Sequence, residues 1–388
     1  MDRMVGVIRE NLGCEVRILT TTPLDPNPDS FRGIANIPES QITRHVDDRP
    51  QSYAECWMDG FPSWFQDFDP DLLIFASPAT YWQNKGPMNG LNQILASVRS
   101  RQIPFGFVHY DLAHTVNWEI GQMVGSGYTW ESARDDYLSR AREASKEPTT
   151  WDAFVNRYEP PVAHEPDFLI SCSEWSLRIL DPLKSVPGFA LHPFMDYPSY
   201  LEPHAPLDQG DFEIGFVNPS IHKGCTTALN LALGSPYSQL WLRGAYGDAN
   251  KAKFMDMVDS TIASKTVQGE ITIVDFVPDI RSFFASLDSK GLLIFPSQFE
   301  GYGMIAVEAM AAGIPVVSTD HPATVEGVGD SAYLVNPYAG FDDWEWAIGE
   351  VLDDRDTWVQ AAADRITFLR DRQRQEVVSF IDFLQRFL

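Results

Sequence analysis

Cysteine is scarce in this chain. Its 388 residues include four, Cys14, Cys56, Cys172 and Cys225, at scattered positions. No pair has the spacing of a zinc site or a redox dithiol. Each reads as a small buried hydrophobe, and the compartment as a reducing, cytoplasmic one. No apolar run approaches the roughly 18 residues of a membrane span, and no signal-peptide pattern opens the sequence. Positive charge is also short: 29 Lys and Arg face 54 Asp and Glu, a net charge of −25. Both halves share this acidity, which argues against nucleic acid as a partner and against association with anionic membranes. Internal repeats and low-complexity tracts are absent.

What is present is a globular composition, 44% hydrophobic and 12% aromatic, in a chain too long for one ordinary core. Two domains are expected. The second half alternates strand and helix cleanly: strands at 212–217 and 239–243, helices at 226–233 and 251–264, then 271–275 and 280–287. That alternation makes a parallel sheet with both faces covered. Residues 195–211, with Pro198, Pro203, Pro206 and Gly210, have the composition of a linker.

The stretch 292–318 is the most informative. Leu292–Phe295 is an apolar run short enough for a buried strand. Gly301 and Gly303 flank Tyr302 and allow a tight turn. Met304–Ala312 are helix formers, Gly313 suits a helix C-cap, and Ile314–Val317 form the next strand. Glu300 lies in the loop and Glu308 inside the helix among Ala306, Val307, Ala309 and Met310. A charge in so apolar a helix needs a partner. The helix N-terminus at Gly303 and Met304 is suited to a phosphate. Two flanking carboxylates suit hydroxyl hydrogens. Phosphate with hydroxyls describes a nucleotide sugar. A plain structural reading stays open: Glu300 favouring the helix dipole, and Glu308 in an ion pair.

Pro296-Ser297, Glu300-Gly-Tyr-Gly303, Glu308-Ala-Met-Ala, Gly313-Ile-Pro-Val-Val, Glu326 and Asp330 together resemble the donor-site signature of retaining glycosyltransferases of family 4. The two glutamates are separated by seven residues, as in that family's paired-glutamate motif. The resemblance is strong over about 212–340. It implies an α/β GT-B fold: two Rossmann-like doubly wound domains facing a cleft, with a C-terminal helix crossing back to the first. The corresponding boundaries are 1–197 for the acceptor side, with an insertion at about 115–165, 205–371 for the donor domain, and 372–388 for the returning helix. Val377, Phe380, Phe383, Leu384 and Leu388 form that helix's apolar stripe. Helices are expected before it at 344–352 and 358–370.

By the same resemblance, Glu300 takes hydrogen bonds from donor-sugar hydroxyls and Glu308 from the ribose. Lys223, with the amides near Gly303 and Met304, holds the diphosphate, and Gly301 and Tyr302 belong to the same donor-binding loop. Lysine is scarce, with eight in the chain, which weighs against Lys223 being an ordinary surface residue. Asn218 stands where the family commonly has an arginine, and Arg243 is a candidate replacement. His109, at the end of the strand 104–108, matches a histidine that touches the donor sugar; a histidine satisfied in the core is the plain alternative. The activity implied is metal-independent transfer from a nucleoside-diphosphate sugar with retention of configuration. No cofactor is implied beyond that co-substrate, and the acceptor is left open among sugar, lipid-linked sugar, natural product and protein.

The first half fits less well. Helix 2–12, Gly13 and strand 15–19 open the chain one element later than the family does. The missing strand is central in such a sheet, so a gap in the first sheet is expected. Strands follow at 71–76 and 167–171 and helices at 86–101 and 174–184. Seven of the eleven tryptophans precede residue 180, a pattern open to acceptor binding or to core packing. An epimerase or phosphorylase of the same fold, and a nucleotide-sugar-binding subunit without turnover, are the competing readings.

Overall fold

The fold comes from a computed structural model, which describes residues 2–16, 18–21, 42–45, 65–76, 89–109, 132, 166–179, 186–207, 212–219, 223–242, 258, 260, 263, 269–274, 277, 279–287, 290–298, 300–337 and 339–388. The chain divides into two compact units, Met1–Phe194 with Gln373–Leu388, and Met195–Arg372.

In the first unit, helix α1 (Asp2–Leu12) ends at Gly13, whose φ is +62°. Strands β1 (Ile18–Thr21) and β2 (Ile42–His45) pair in parallel as a two-stranded sheet. A separate four-stranded parallel sheet runs β3 (Leu73–Ala76), β4 (Phe105–His109), β5 (Phe168–Ser171), β6 (Gly188–Ala190). Helix α2 (Asn89–Ser100) lies between β3 and β4 in sequence, and α3 (Glu174–Ile179) between β5 and β6. Ser173 caps α3 by accepting from the Ser176 N–H at 3.0 Å. Among the described residues the strands of this unit thus fall in two sheets without pairing between them, in agreement with the expected gap, and β2 and β6 are additional to the sequence reading.

The second unit opens with α4 (Tyr197–Tyr200). Met195 and Tyr197 are buried, so the stretch that reads as a linker begins in packed structure; proline at the start of α4 is compatible with a helix because that N–H needs no partner. Then follow β7 (Ile214–Val217), α5 (Cys225–Gly234), β8 (Gln239–Leu242), β9 (Ile271–Val274), α6 (Ile280–Ala285), β10 (Leu292–Phe295), α7 (Met304–Ala311), β11 (Val316–Thr319), α8 (Pro322–Val328), β12 (Tyr333–Val335) and α9 (Phe341–Asp353). The six strands pair in parallel in the order β12-β11-β10-β7-β8-β9. β8, β10 and β11 are buried along their whole length, as strands covered on both faces must be. The expected helix at 251–264 lies outside the described residues except for 258, 260 and 263. β11 starts two residues later than the sequence suggests, because Pro315 has no N–H; its carbonyl accepts from Leu293 instead, at 2.9 Å.

Helix α10 (Arg355–Leu384) corrects a further expectation. It is one helix of 30 residues, not two separated near 371–375. That segment is charged and partly exposed, but it holds no proline or glycine, so nothing stops propagation. Phe380, Phe383 and Leu384 pack with Met4, Ile8, Val108, Phe168, Ile170 and Leu191 in the core of the first unit. Leu388 is 61% exposed and leaves the expected stripe, beyond the helix end. Cys172 and Cys225 are buried, whereas Cys14 is only half-buried. Among the described residues no helix is long and apolar enough to cross a membrane.

Candidate functional site

The second unit's strand order defines where a ligand fits. The chain goes outward from β7 through β8 to β9, then returns to the other side of β7 with β10, β11 and β12. The reversal lies between β7 and β10, and open parallel sheets bind ligands at the carboxyl ends of strands at such a point. The loops leaving β7 and β10 carry Lys223 and Glu300.

Two glycines bring these loops together. Gly224, at φ +76°, is the N-cap of α5. A Cβ on it would lie 2.2 Å from the Pro296 carbonyl oxygen, so only glycine lets the start of α5 press against the end of β10. Lys223 then reaches Glu300, and its Nζ donates to Oε1. Glu300 is 9% exposed, so this charge needs the pairing it receives. The ion pair of the plain structural reading therefore falls on Glu300. Glu308 instead bonds Tyr200, and burial raises its pKa above the usual carboxylate value while that hydrogen bond opposes the rise.

Gly303 plays the matching part for α7. It is the N-cap at φ +82°, with no side chain capping the helix. Both α5 and α7 thus start from a left-handed glycine, and both lack a side-chain cap. Such N-termini present N–H groups and a positive dipole end to an anion. Met304, the first residue of α7, is half-buried. Tyr302 is 3% exposed and Gly301 precedes it in the loop. Asn218 follows β7 at φ +60°, a conformation that asparagine tolerates better than most side chains. Its N–H donates to the Leu242 carbonyl at 2.8 Å. The local backbone is therefore reason enough for asparagine where the family commonly has arginine.

The next wall is the start of α8. His321 is fully buried and caps that helix, its Nδ1 accepting from the Ala323 N–H at 3.2 Å. This bond fixes the neutral tautomer with hydrogen on Nε2. Burial, with the charge of Lys223 nearby, pushes the His321 pKa down to about 3. Thr324 lies against Gly303, with Cγ2 and Oγ1 each 3.0 Å from where a Cβ would stand. The Thr319 hydroxyl donates to the Ser297 carbonyl at 2.5 Å, tying β11 to the loop after β10. His321 and Thr324 escape sequence reading because a histidine before a proline reads as a turn. Tyr200 escapes because it lies in the supposed linker.

His109 ends β4 in the first unit, in register with Ser171 of β5; its side chain lies outside the described atoms. Arg243 is also outside the described residues. The sequence holds Asp-x-Asp triplets at Asp67–Asp69, Asp69–Asp71 and Asp354–Asp356. Among the described residues no three His, Cys, Asp or Glu gather as metal ligands would.

Residues 250–365 match the family Glycosyl transferases group 1. A stretch of 112 residues, 28% of the chain and 28% of its relative, is 30% identical to the O-antigen chain mannosyltransferase B of Escherichia coli. A stretch of 55 residues, 14% of the chain, is 38% identical to the sucrose synthase of Solanum tuberosum, of which it covers 7%. The aligned stretches are therefore small parts of these curated relatives. Among solved structures, the sucrose-phosphate synthase of Thermosynechococcus elongatus superposes with a TM-score of 0.65 at 14% identity, over 99% of this chain and 92% of that one. Anabaena HepE in complex with UDP-glucose gives 0.61 at 14% identity, over 99% and 94%. At such identities the likeness is one of fold. The chain has the GT-B fold, built from two parallel-sheet α/β domains, and its residues 250–365 match the Glycosyl transferases group 1 family.

Proposed function

We propose that this protein is a retaining, metal-independent glycosyltransferase that moves a sugar from a nucleoside-diphosphate sugar to an acceptor hydroxyl. The observation that carries the reading is the meeting of Lys223 and Glu300 at the switch point between β7 and β10, beside two helix N-termini without side-chain caps. Lys223 and the amides at Gly303 and Met304 hold the diphosphate. Glu300 accepts from hydroxyls of the donor sugar, and Glu308 from the ribose. In transfer, the bond between the anomeric carbon and the phosphate oxygen breaks. The acceptor oxygen bonds that carbon on the same face, and its proton passes to the departing phosphate. The charge growing on that phosphate is met by Lys223 and the helix ends, in place of a metal. The Lys223–Glu300 pair keeps both groups in place before the donor arrives. Glu300, Lys223, Gly301, Tyr302, Gly303, Met304, Glu308 and Asn218 form the proposed donor site, and His109 remains a separate candidate catalytic residue.

UDP-glucose, the ligand of the Anabaena HepE structure, is the first donor to try. The expected result is transfer or slow donor hydrolysis by the wild-type chain and loss of turnover in Glu300→Gln. A nucleotide-sugar-binding subunit without turnover is the second reading. It is favoured by the pairing of Lys223 with Glu300, which leaves less positive charge for a diphosphate. Wild-type binding with no turnover, across several acceptors and in donor hydrolysis, would select it.

A further inference from the structure

The loop that carries Glu300 has a permissive backbone: glycines precede and follow Tyr302, and Gly303 has a positive φ. Such a loop loses much conformational entropy when ordered, so something must hold it. Tyr302 lies between those glycines, and its ring is buried with Met195, Tyr197, Val307, Ala311 and Leu369. At Gly327 of α8, a Cβ would meet Val307 Cγ2 at 2.7 Å and Tyr302 Cζ at 3.4 Å. The α8 backbone thus lies against the end of the ring that bears the hydroxyl.

That hydroxyl accepts from Arg372 Nη2 at 2.7 Å. Arg372 Nη1 donates to the Glu326 carbonyl at 3.1 Å. Arg365, two turns earlier on α10, donates through Nη2 to the same carbonyl at 2.8 Å and through Nε to the Gly327 carbonyl at 2.9 Å. Two guanidinium groups therefore converge on the C-terminal end of α8. The helix dipole favours cations there, but Arg365 by itself already serves both carbonyls. A second half-buried cation beside the first is costly: burial, and then Arg372, lower the Arg365 pKa. Beyond what Arg365 supplies to these carbonyls, Arg372 bonds the Tyr302 hydroxyl.

We infer that Arg372 is a positioning residue for the donor loop, holding residues 300–303 in place through the Tyr302 hydroxyl so that Glu300 and the start of α7 meet the ligand already ordered. The inference rests on the donor-site reading above. It also makes a claim about the unliganded loop, which can be checked separately. Arg372 is the last residue of the second unit, and α10 continues unbroken beyond it.

The test uses the full chain with Tyr302→Phe, Arg372→Met and the double variant. Tyr302→Phe keeps the ring and its packing and removes only the hydroxyl. Backbone hydrogen exchange at 300–304 and calorimetric titration with UDP-glucose are read on each. The expected result is faster exchange confined to 300–304 in both single variants. Donor binding weakens by about tenfold in each, the scale of one charge-assisted hydrogen bond. The double variant is no worse than Arg372→Met alone, since that substitution already removes the bond that Tyr302→Phe removes. Unchanged exchange at 300–304 overturns the inference, as does faster exchange throughout α8 and α10 with unaltered affinity, the pattern of a merely structural cap. If the wild-type chain binds no nucleotide sugar, the donor-site reading fails, and hydrogen exchange still decides whether Arg372 orders the loop.

Discussion

Lys223 and Glu300 are 77 positions apart in sequence, yet each is the other's partner. Neither can be altered alone. Lys223→Ala removes a cation from the proposed diphosphate site and leaves Glu300, almost buried, without that partner. We expect UDP binding to weaken by about 1.5–3 kcal/mol, as for a charge-assisted contact. Adding Glu300→Ala should cost less than the sum of the separate losses, because the two groups interact directly. Titration calorimetry of the four proteins in the cycle checks this; strict additivity would place the two groups in separate sites. His321 makes a prediction on pH. Its pKa falls from 6.5 to about 3 on folding, so the unfolded chain binds a proton that the folded one refuses. The resulting stability is complete above 6.5 and is lost as pH falls toward about 3, at up to roughly 1.4 kcal/mol per pH unit from this one group. His321→Asn keeps an oxygen able to cap α8 and should flatten that part of the urea-stability profile between pH 6 and 4. An unchanged slope would assign acid lability elsewhere. Glu308 works in the opposite sense: with a raised pKa, it is protonated at higher pH than an ordinary carboxylate. Stability from it is present at low pH and is lost as pH rises through the raised value. If the ribose binds its ionised form, nucleotide affinity should fall on acidification sooner than in Glu308→Gln.

At the scale of elements, the loop-helix junctions determine the site. Gly303→Ala would place a methyl group 3.0 Å from Thr324 and 3.3 Å from Phe295, at a φ of +82°. The left-handed conformation alone costs about 1–2 kcal/mol, so we expect a lower melting temperature together with weaker nucleotide binding. Gly224→Ala should be worse, because its methyl group meets a backbone carbonyl that cannot turn aside. The 292–318 unit was the most legible part of the chain. β10 spans the expected residues and α7 begins where Gly303 suggested. Its signals are local: an apolar run, paired glycines, then helix formers. What was not legible depends on contacts distant in sequence. The polar segment 370–376 reads as a break, but its Arg, Gln and Glu residues continue a helix. Arg372 has no visible purpose until α8 and Tyr302 are brought beside it. Tyr200 is a donor to Glu308 only because α4 folds where composition suggests a linker.

At the scale of the whole molecule, a net charge of −25 makes any anionic donor approach an acidic surface, so the local positive end built by Lys223, α5 and α7 has to be strong. Donor affinity should therefore change less steeply with added salt than the net charge suggests, since the partly buried Lys223–Glu300 pair is poorly screened. If UDP binds the folded chain alone, a concentration of a hundred times its dissociation constant adds about 2.7 kcal/mol of stability, and the melting temperature should rise by a few degrees. The central claim is that the second unit holds a nucleotide-sugar site working without metal. Calorimetric titration with UDP, GDP, ADP and dTDP, first in EDTA and then in magnesium, addresses it most directly. Selective binding of one nucleotide is expected, equally strong in both buffers and weakened in Lys223→Ala. Absence of binding to all four, or binding that appears only with magnesium and is indifferent to Lys223, would contradict it.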